Sequence, residues 1–390
     1  MASINILHAS DLHICVHDQL RSPIDRFHDL ENPWDPSLSG VAEKLHLMPE
    51  FASAWWKKMA ASSYDPETLQ ALAEFIYNNA NKKLDSQNNE IFEPSEDKLD
   101  AVVLTGDLAT TGSYDDIKLV ADFLRSPASF KCRYKSAEQH YRGPTLSAVK
   151  IPILCLPGNH DRFIGTHDFY KLLPIVFQPG SDEFDKQLYD YRLSPFRELE
   201  LSTPVTPAKT LRVVVLAVDF TLEDLDGCIG EFGWLAQGRA YTDRRRSLAR
   251  RTEELHDTRG NDELLCVIWA MHFPPKFPHY PDHGRLLGEE AVVNAANRTG
   301  VQAIIAGHTH EQSTYRNPGM RFWVYCCGTT TQYEPLAMTH KDGERGNFFQ
   351  IITVTADPNG KISISGKDYR YGDASSGNQF PRLMQWLPVV

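Results

Sequence analysis

"ILCLPGNHDRF" (Ile153–Phe163) decides how this chain is read. Apolar residues run from Ile153 to Leu156 into Pro157-Gly158, and Asn159, His160 and Asp161 then stand side by side. A short, near-continuous apolar run that stops at a turn is a strand buried on both faces. Polar residues at the carboxyl end of such a strand sit where open α/β sheets place their ligands. Taken alone, the turn has a bland reading: a buried strand that finishes in polar residues for structural reasons. The rest of the chain decides between the two.

Five further runs share the pattern. They are "INILHAS" from Ile4, "DAVVLTG" from Asp100, "LRVVVLAVDF" from Leu211, "LLCVIWAMHF" from Leu264 and "VQAIIAGHTH" from Val301. Helical stretches fall between several of them. Asp65-Pro66 reads as an N-cap followed by proline at N1, and Leu69, Leu72, Phe75 and Ile76 continue an apolar stripe at helical spacing. "GEEAVVNAANRTG" reads as another helix, with Gly300 as its C-cap. Strand–helix alternation predicts an α/β fold. After Phe322 the pattern turns strand-rich in "RFWVYCC", "NFFQIITVTA" and "KISISGKDYRY", the last two joined by the turn "DPNG". One domain over residues 1–390 is expected, with insertions at 14–64 and 164–208, where the sequence is irregular. "DRRRSLARR" (Asp243–Arg251) reads as a basic, solvated helix face.

Composition narrows the partners. Hydrophobic residues make up 42% and charged residues 23% of the 390, the balance of a soluble globular chain. With 40 basic against 51 acidic residues the net charge is −11, so neither anonymous nucleic acid nor an anionic membrane is an expected partner. Seven cysteines without a CxxC read as reduced thiols, which points to the cytoplasm. Cys326-Cys327 reads as a buried strand pair. No apolar run approaches the ~18 residues of a membrane span. The opening "MASINILHASDLH" lacks a basic n-region, so no signal peptide is expected.

Five of the six strand ends carry metal-binding chemistry. Asp11 and His13 follow the first strand as D-x-H, and Gly106-Asp107 follows the second. Gly158-Asn159-His160-Asp161 follows the third, His272 the fifth, and Gly307-His308-Thr309-His310 the sixth. Asp, His and Asn donors without thiolate suit Mn, Fe, Zn or Co in an open site more than a structural zinc cage. The set Asp11, His13, Asp107, Asn159, His272, His308 and His310 exceeds what one ion uses. Two ions sharing a bridging carboxylate would use all of it, and two-metal sites promote in-line displacement at phosphorus. Two divalent cations would also keep the pocket positive inside an acidic protein, and so attractive to a phosphate oxygen.

The ordered set D-x-H, G-D, G-N-H-D, H, G-H-x-H resembles the calcineurin-like metallophosphoesterase superfamily, from Asp11 to His310. The resemblance implies a β-sandwich of two mixed sheets flanked by helices, with the site at one end. It implies a first metal on Asp11, His13, Asp107 and His310, and a second on Asp107, Asn159, His272 and His308, with Asp107 bridging. The cofactors it implies are two divalent or mixed-valence transition-metal ions (Mn, Fe, Zn or Co), with a hydroxide bridging them as nucleophile. His160 matches the non-ligand histidine; with Asn159 it is expected to face the substrate, and its expected role is to protonate the leaving alkoxide or to stabilise charge on phosphorus.

Departures sort the branches. Thr110 stands where purple acid phosphatases carry tyrosine, so no tyrosinate–iron chromophore is expected. The same position lacks the aspartate that orients the catalytic histidine. "GDLATTG" and "GNHD" differ from the GDxVDRG and GNHE of Ser/Thr protein phosphatases. "GDLATTGSYDDIKLVADFL" and "MHFPP" resemble the cyclic-nucleotide phosphodiesterase type, with Met271 in place of that type's first histidine. The expected activity is hydrolysis of a small phosphodiester, a cyclic nucleotide or another. A nuclease or phosphomonoesterase on the same site is the alternative, and a non-catalytic interaction scaffold is the alternative of another class. Arg162, Lys276, His279 and His283 are further candidates for substrate contact. Oligomeric state is not legible.

Overall fold

All six apolar runs form strands, and their alternation decides which layer each side chain joins. The computed structural model describes residues 2–14, 64–80, 83–84, 90–91, 98–110, 114–125, 131–134, 137–140, 145–146, 149–162, 176–177, 196–221, 238–278, 285–331, 346–373 and 384–389. Most of the two expected insertions, 14–64 and 164–208, lies outside these residues, as do His279 and His283.

The strands of the first sheet are β1 (Ala2–Ala9), β2 (Ala101–Thr105), β3 (Ile153–Leu156) and β4 (Val176–Phe177). Those of the second are β5 (Phe196–Thr206), β6 (Lys209–Val218), β7 (Glu263–Ala270), β8 (Ala303–Ala306), β9 (Ser313–Tyr315) and β10 (Trp323–Cys326). The chain then returns to the first sheet as β11 (Phe348–Ala356), β12 (Ile362–Asp373) and β13 (Met384–Pro388). Spatial order is β13-β12-β11-β1-β2-β3-β4 in one sheet and β9-β10-β8-β7-β6-β5 in the other. Each has a parallel centre: β1-β2-β3 and β6-β7-β8-β10 run parallel, and antiparallel strands flank them.

Period-two alternation builds a sandwich. Ile4, Ile6, Ala101, Val103, Leu154 and Leu156 face Val213, Val215, Cys266, Ile268, Ala303 and Ile305 across a buried layer between the sheets. The opposite parity faces outward under helices. Leu7, Val102, Leu104 and Ile153 pack beneath α1 (Pro66–Ala80) and α2 (Tyr114–Arg125). Val214, Leu216, Val267 and Trp269 pack beneath α3 (Thr242–Asp257) and α4 (Glu289–Thr299). The expected β-sandwich of two mixed sheets flanked by helices is therefore the observed fold. Each buried Leu, Ile or Val contributes about 1.5–3 kcal/mol, and three apolar layers exist because both faces of both sheets are covered.

Local signals behave as their chemistry requires. Asp65 caps α1, accepting the Glu67 amide at 3.1 Å and the Thr68 hydroxyl at 2.8 Å, worth about 1 kcal/mol. Leu69, Leu72 and Ile76 are fully buried, while Phe75 is only partly so. Gly300 ends α4 in the left-handed conformation, its N–H on the Ala296 carbonyl. The "DPNG" turn closes β11 onto β12 through the Asp357 side chain, which accepts the Lys361 amide at 2.9 Å. Cys326 and Cys327 are buried free thiols as expected, but the strand ends at Cys326, so Cys327 lies just past it.

Two expectations are corrected. Residues 196–206, counted as irregular, are the edge strand β5: Leu199 points into the interlayer, while Glu198 and Glu200 bind Arg251 and Arg212. "DRRRSLARR" is not a uniformly solvated face. Arg246 and Arg250 are exposed, but Arg244 is buried, donating to the Asp219 carbonyl at 2.6 Å, and Arg251 grips Glu198 at 2.8 and 2.9 Å.

Candidate metal centre

The register places five turns at one level. Ala9 pairs with Leu104 and Thr105 with Leu156 in the first sheet, and Ala270 pairs with Ile305 in the second. The loops that leave these strands are then stitched together. Amides of Asp11, His13 and Ile14 donate to carbonyls of Gly106, Asp107 and Leu108, at 3.0, 3.0 and 2.8 Å. The Asp161 carboxylate accepts amides of Leu108, Ala109 and Gly158 at 3.2, 2.7 and 2.8 Å, tying the third turn to the second. The Gly307 amide donates to the His272 carbonyl at 3.0 Å, and the His308 amide donates to Asp11 Oδ2 at 3.0 Å.

Two glycines permit that proximity. A Cβ on Gly158 would collide with the Asp107 carboxylate, and one on Gly307 would collide with Ser10 Oγ. In sequence, Gly158 after Pro157 looks like a sharp backbone turn that needs glycine's conformational freedom. Close approach is its real demand, since its φ lies outside the left-handed range.

What converges is two adjoining groups of ligand atoms. Asp11, His13, Asp107 and His310 form one, and Asp107, His272 and His308 the other, with the atoms of each group within 4.8 Å of one another and every residue buried. Asp107 belongs to both. Asn159 joins the second, its Oδ1 3.1 Å from His272 Nε2. All seven residues singled out in the sequence thus meet. Rings are packed edge to face: His13 against His160 at 4.6 Å, and His272 against His308 at 5.0 Å.

Backbone strain marks the same residues. Among the described residues six non-glycines have positive φ, and five of them are Asp11 (54°), His13 (52°), Asp107 (49°), His308 (73°) and His310 (54°). Each such conformation costs about 1–3 kcal/mol and persists only where surrounding structure enforces it. All five stand in the turns just past the strand ends. The sixth is Lys276 (55°).

The buried acids and imidazoles shift one another's proton affinities. Burial opposes charge on Asp11, yet the His310 ring beside it holds its carboxyl down at about 2; His310 Nε2 lies 3.2 Å from Asp11 Oδ1. Burial likewise opposes charge on His272, but the Asp107 carboxylate 3.3 Å away pushes it up to about 9. Burial drives His308 down to about 3, helped by the neighbouring His272. A cation held here would compete with protons for the same carboxylate and imidazole lone pairs.

Residues and cations fit. Asp11 Oδ1 is a buried acceptor whose contact with His310 Nε2 at 3.2 Å is not aligned as a hydrogen bond. His13 Nε2 and His310 Nε2 face each other at 3.4 Å, so at most one carries a hydrogen between them. His272 donates Nδ1–H to the Thr105 carbonyl at 2.7 Å, so Nε2 is the nitrogen that faces Asp107 and Asn159 and that would hold a cation once its proton is displaced. Fixing the tautomer through the far nitrogen is how proteins prepare a histidine ligand.

His160 stands slightly apart. Its amide donates to Asp107 Oδ1 at 2.8 Å, its Nδ1 lies 2.9 Å from the Thr110 carbonyl, and its Nε2 lies 3.9 Å from Asp107 Oδ2. Two residues singled out around His272 have these surroundings. Met271 is fully buried in the layer beneath α3 and α4, and the Lys276 ammonium pairs with Glu290 of α4 at 2.5 Å. Nothing in the sequence analysis anticipated the Thr105 carbonyl, the triple acceptor role of Asp161, or the buried run Thr329-Thr330-Thr331; "GTTT" after a strand was the available signal for the last.

A two-sheet sandwich that gathers two adjoining Asp/His clusters at its strand ends is the framework of a metal-dependent phosphoester hydrolase. The family model for calcineurin-like phosphoesterases matches residues 4–312, and the chain belongs to that family. Among solved structures, the chain is similar to GAP50, the anchor in the inner membrane complex of Plasmodium, at 9% identity and a TM-score of 0.47, covering 99% of this chain and 89% of that one. It is also similar to the sulfate thiohydrolase SoxB of Thermus thermophilus, at 14% identity and a TM-score of 0.38, covering 93% of this chain and 56% of that one. Vps29 of Entamoeba histolytica is similar at 10% identity and a TM-score of 0.29, with 99% and 100% covered. No curated protein matches.

Proposed function

We propose that this chain hydrolyses a small phosphodiester, a cyclic nucleotide or another, with two transition-metal ions. Asp11, His13, Asp107 and His310 would hold one ion; Asp107, Asn159, His272 and His308 would hold the other. The observation that carries the reading is Asp107, whose carboxylate belongs to both ligand groups. When bound, the ions would supply Lewis-acid polarisation of a phosphoryl oxygen and acidify a water.

The chain's own residues do the rest. The His160 amide and Gly158 fix the Asp107 carboxylate from one side, and the His272 ring approaches it from the other. His160 is the one imidazole of the cluster outside both ligand groups. With Nδ1–H on the Thr110 carbonyl, its proton-carrying end toward a leaving oxygen is Nε2, the geometry of a general acid. Burial depresses its basicity and the Asp107 carboxylate partly restores it. The diester preference rests on the likeness of "GDLATTGSYDD" and "MHFPP" to cyclic-nucleotide phosphodiesterases. The test is metal-stripped protein given Mn²⁺ and offered bis(p-nitrophenyl) phosphate and p-nitrophenyl phosphate in parallel. Faster cleavage of the diester is expected, and faster cleavage of the monoester would overturn the preference.

A further inference from the structure

The Ser10–His13 loop carries two residues in left-handed backbone, Asp11 and His13. Such a loop needs external bonds to hold its shape, and threonine side chains supply them one residue at a time. Thr329 Oγ1 donates to the Asp11 carbonyl at 3.1 Å, Thr331 Oγ1 to the Leu12 carbonyl at 2.6 Å, and Thr110 Oγ1 to the His13 carbonyl at 2.5 Å. The Ser10 amide donates to Thr330 Oγ1 at 3.1 Å, and the Thr330 amide returns to the Ser10 carbonyl at 3.0 Å. All four threonines are buried, and none belongs to the ligand groups.

Threonine suits the task physically. Its hydroxyl both donates and accepts, so the same residue type serves three carbonyls and one amide. Its β-branch restricts χ1, so the hydroxyl is already aimed before the loop arrives. Buried carbonyls left without these donors would pull the loop toward other partners or toward water. The run Thr329–Thr331 comes from the turn after β10, and Thr110 from the turn after β2, so the loop is clasped from both sheets. Thr110 also spends its carbonyl on His160, linking the clasp to the proposed acid.

We propose that Thr110, Thr329, Thr330 and Thr331 are positioning residues that hold Asp11 and His13 in the shape a cation requires; this rests on the two-metal reading above. The experiment titrates Mn²⁺ alone into metal-stripped wild type and into Thr110→Val, Thr329→Val and Thr331→Val made singly, so that a failure of one to fold leaves the others. Thr→Ser at the same positions and Thr252→Val accompany them. Thr252 makes buried hydrogen bonds to Trp269 and Leu248, on the outer side of the second sheet. Each valine should weaken Mn²⁺ binding at one of the two sites about 10–100-fold, the usual loss when a ligand's supporting bond is removed. Serine should restore binding to near the wild-type value. Thr252→Val should lower the melting temperature and leave Mn²⁺ affinity unchanged. Folded valine variants that bind Mn²⁺ like wild type would overturn the proposal alone. A wild type that binds no Mn²⁺ would overturn the two-metal reading and the proposal with it.

Discussion

His160 and Thr110 are joined through an imidazole nitrogen and a main-chain carbonyl, Nδ1 to oxygen at 2.9 Å. A carbonyl can only accept, so this nitrogen carries hydrogen and Nε2 is left as the end that gains or gives a proton. The bond also resolves a puzzle in the sequence, where the aspartate that orients this histidine in related phosphatases is missing. A backbone oxygen at the same residue does the orienting. A neutral carbonyl holds the ring in place with less electrostatic support for its cationic form than a carboxylate gives.

If His160 moves a proton and holds no ion, His160→Ala should keep both metals and lose turnover by about 10²–10⁴-fold. Metal content by plasma mass spectrometry and kcat on a diester substrate separate the two roles. Loss of one equivalent of metal together with an unchanged rate would reassign His160 as a ligand.

Asp107→Asn keeps the shape of the side chain and removes the charge common to both ligand groups. Asn can still accept the His160 amide, which Asp107 receives on Oδ1, so the fold should survive. The expected result is metal content falling from two equivalents toward one or none at micromolar Mn²⁺, with activity falling alongside. Two retained ions and an intact rate would show that Asp107 is not shared between cations.

Asp161 is fully buried and accepts three amides from two turns, at 2.7 to 3.2 Å. Asp161→Ala would strand all three donors away from water. Each unsatisfied buried group costs about 1–3 kcal/mol, so a loss of several kcal/mol is expected in denaturant unfolding of the metal-free protein. A change below about 1 kcal/mol would mean the two turns are held by other bonds.

How much of this was legible follows from what each residue type displays. Ile4, Val103, Leu154 and Val213 announce strands because each lies in a short, near-continuous apolar run that stops at a polar turn. Asp107, His272 and His308 announce a metal centre because chemistry-bearing side chains recur at strand ends. The edge strand β5 escaped because Glu198 and Glu200 break its apolar run and Pro204 sits within it, although Leu199 and Leu201 do alternate inward. The Thr105 carbonyl beneath His272 was beyond reach for a stronger reason: every residue has a carbonyl, so a main-chain acceptor leaves no letter to read. Thr329–Thr331 lay between, visible as a polar turn but with partners more than 300 residues away in the chain. Only folding shows whom they serve.

His8, outside both ligand groups, is expected to set a pH limit on stability. It occupies an inward position of β1 and is fully buried, with Nε2 2.9 Å from Thr105 Oγ1 and Nδ1 3.3 Å from Gln350 Oε1. Burial lowers its pKa to about 4 from 6.5, against smaller opposing effects of Gln350 and Asp11. The unfolded chain therefore binds a proton that the native state refuses between pH 6.5 and 4, and stability falls as pH falls through that window. The full loss is of order 3 kcal/mol. Many carboxylates titrate nearby, so the informative quantity is the difference between wild type and His8→Gln, which keeps a polar side chain and cannot be protonated. Urea unfolding of both at pH 7 and pH 4.5 should show wild type losing about 2–3 kcal/mol more than the variant. Equal losses would mean His8 is protonated in the native state without penalty, and that the Thr105–His8–Gln350 chain accommodates the charge.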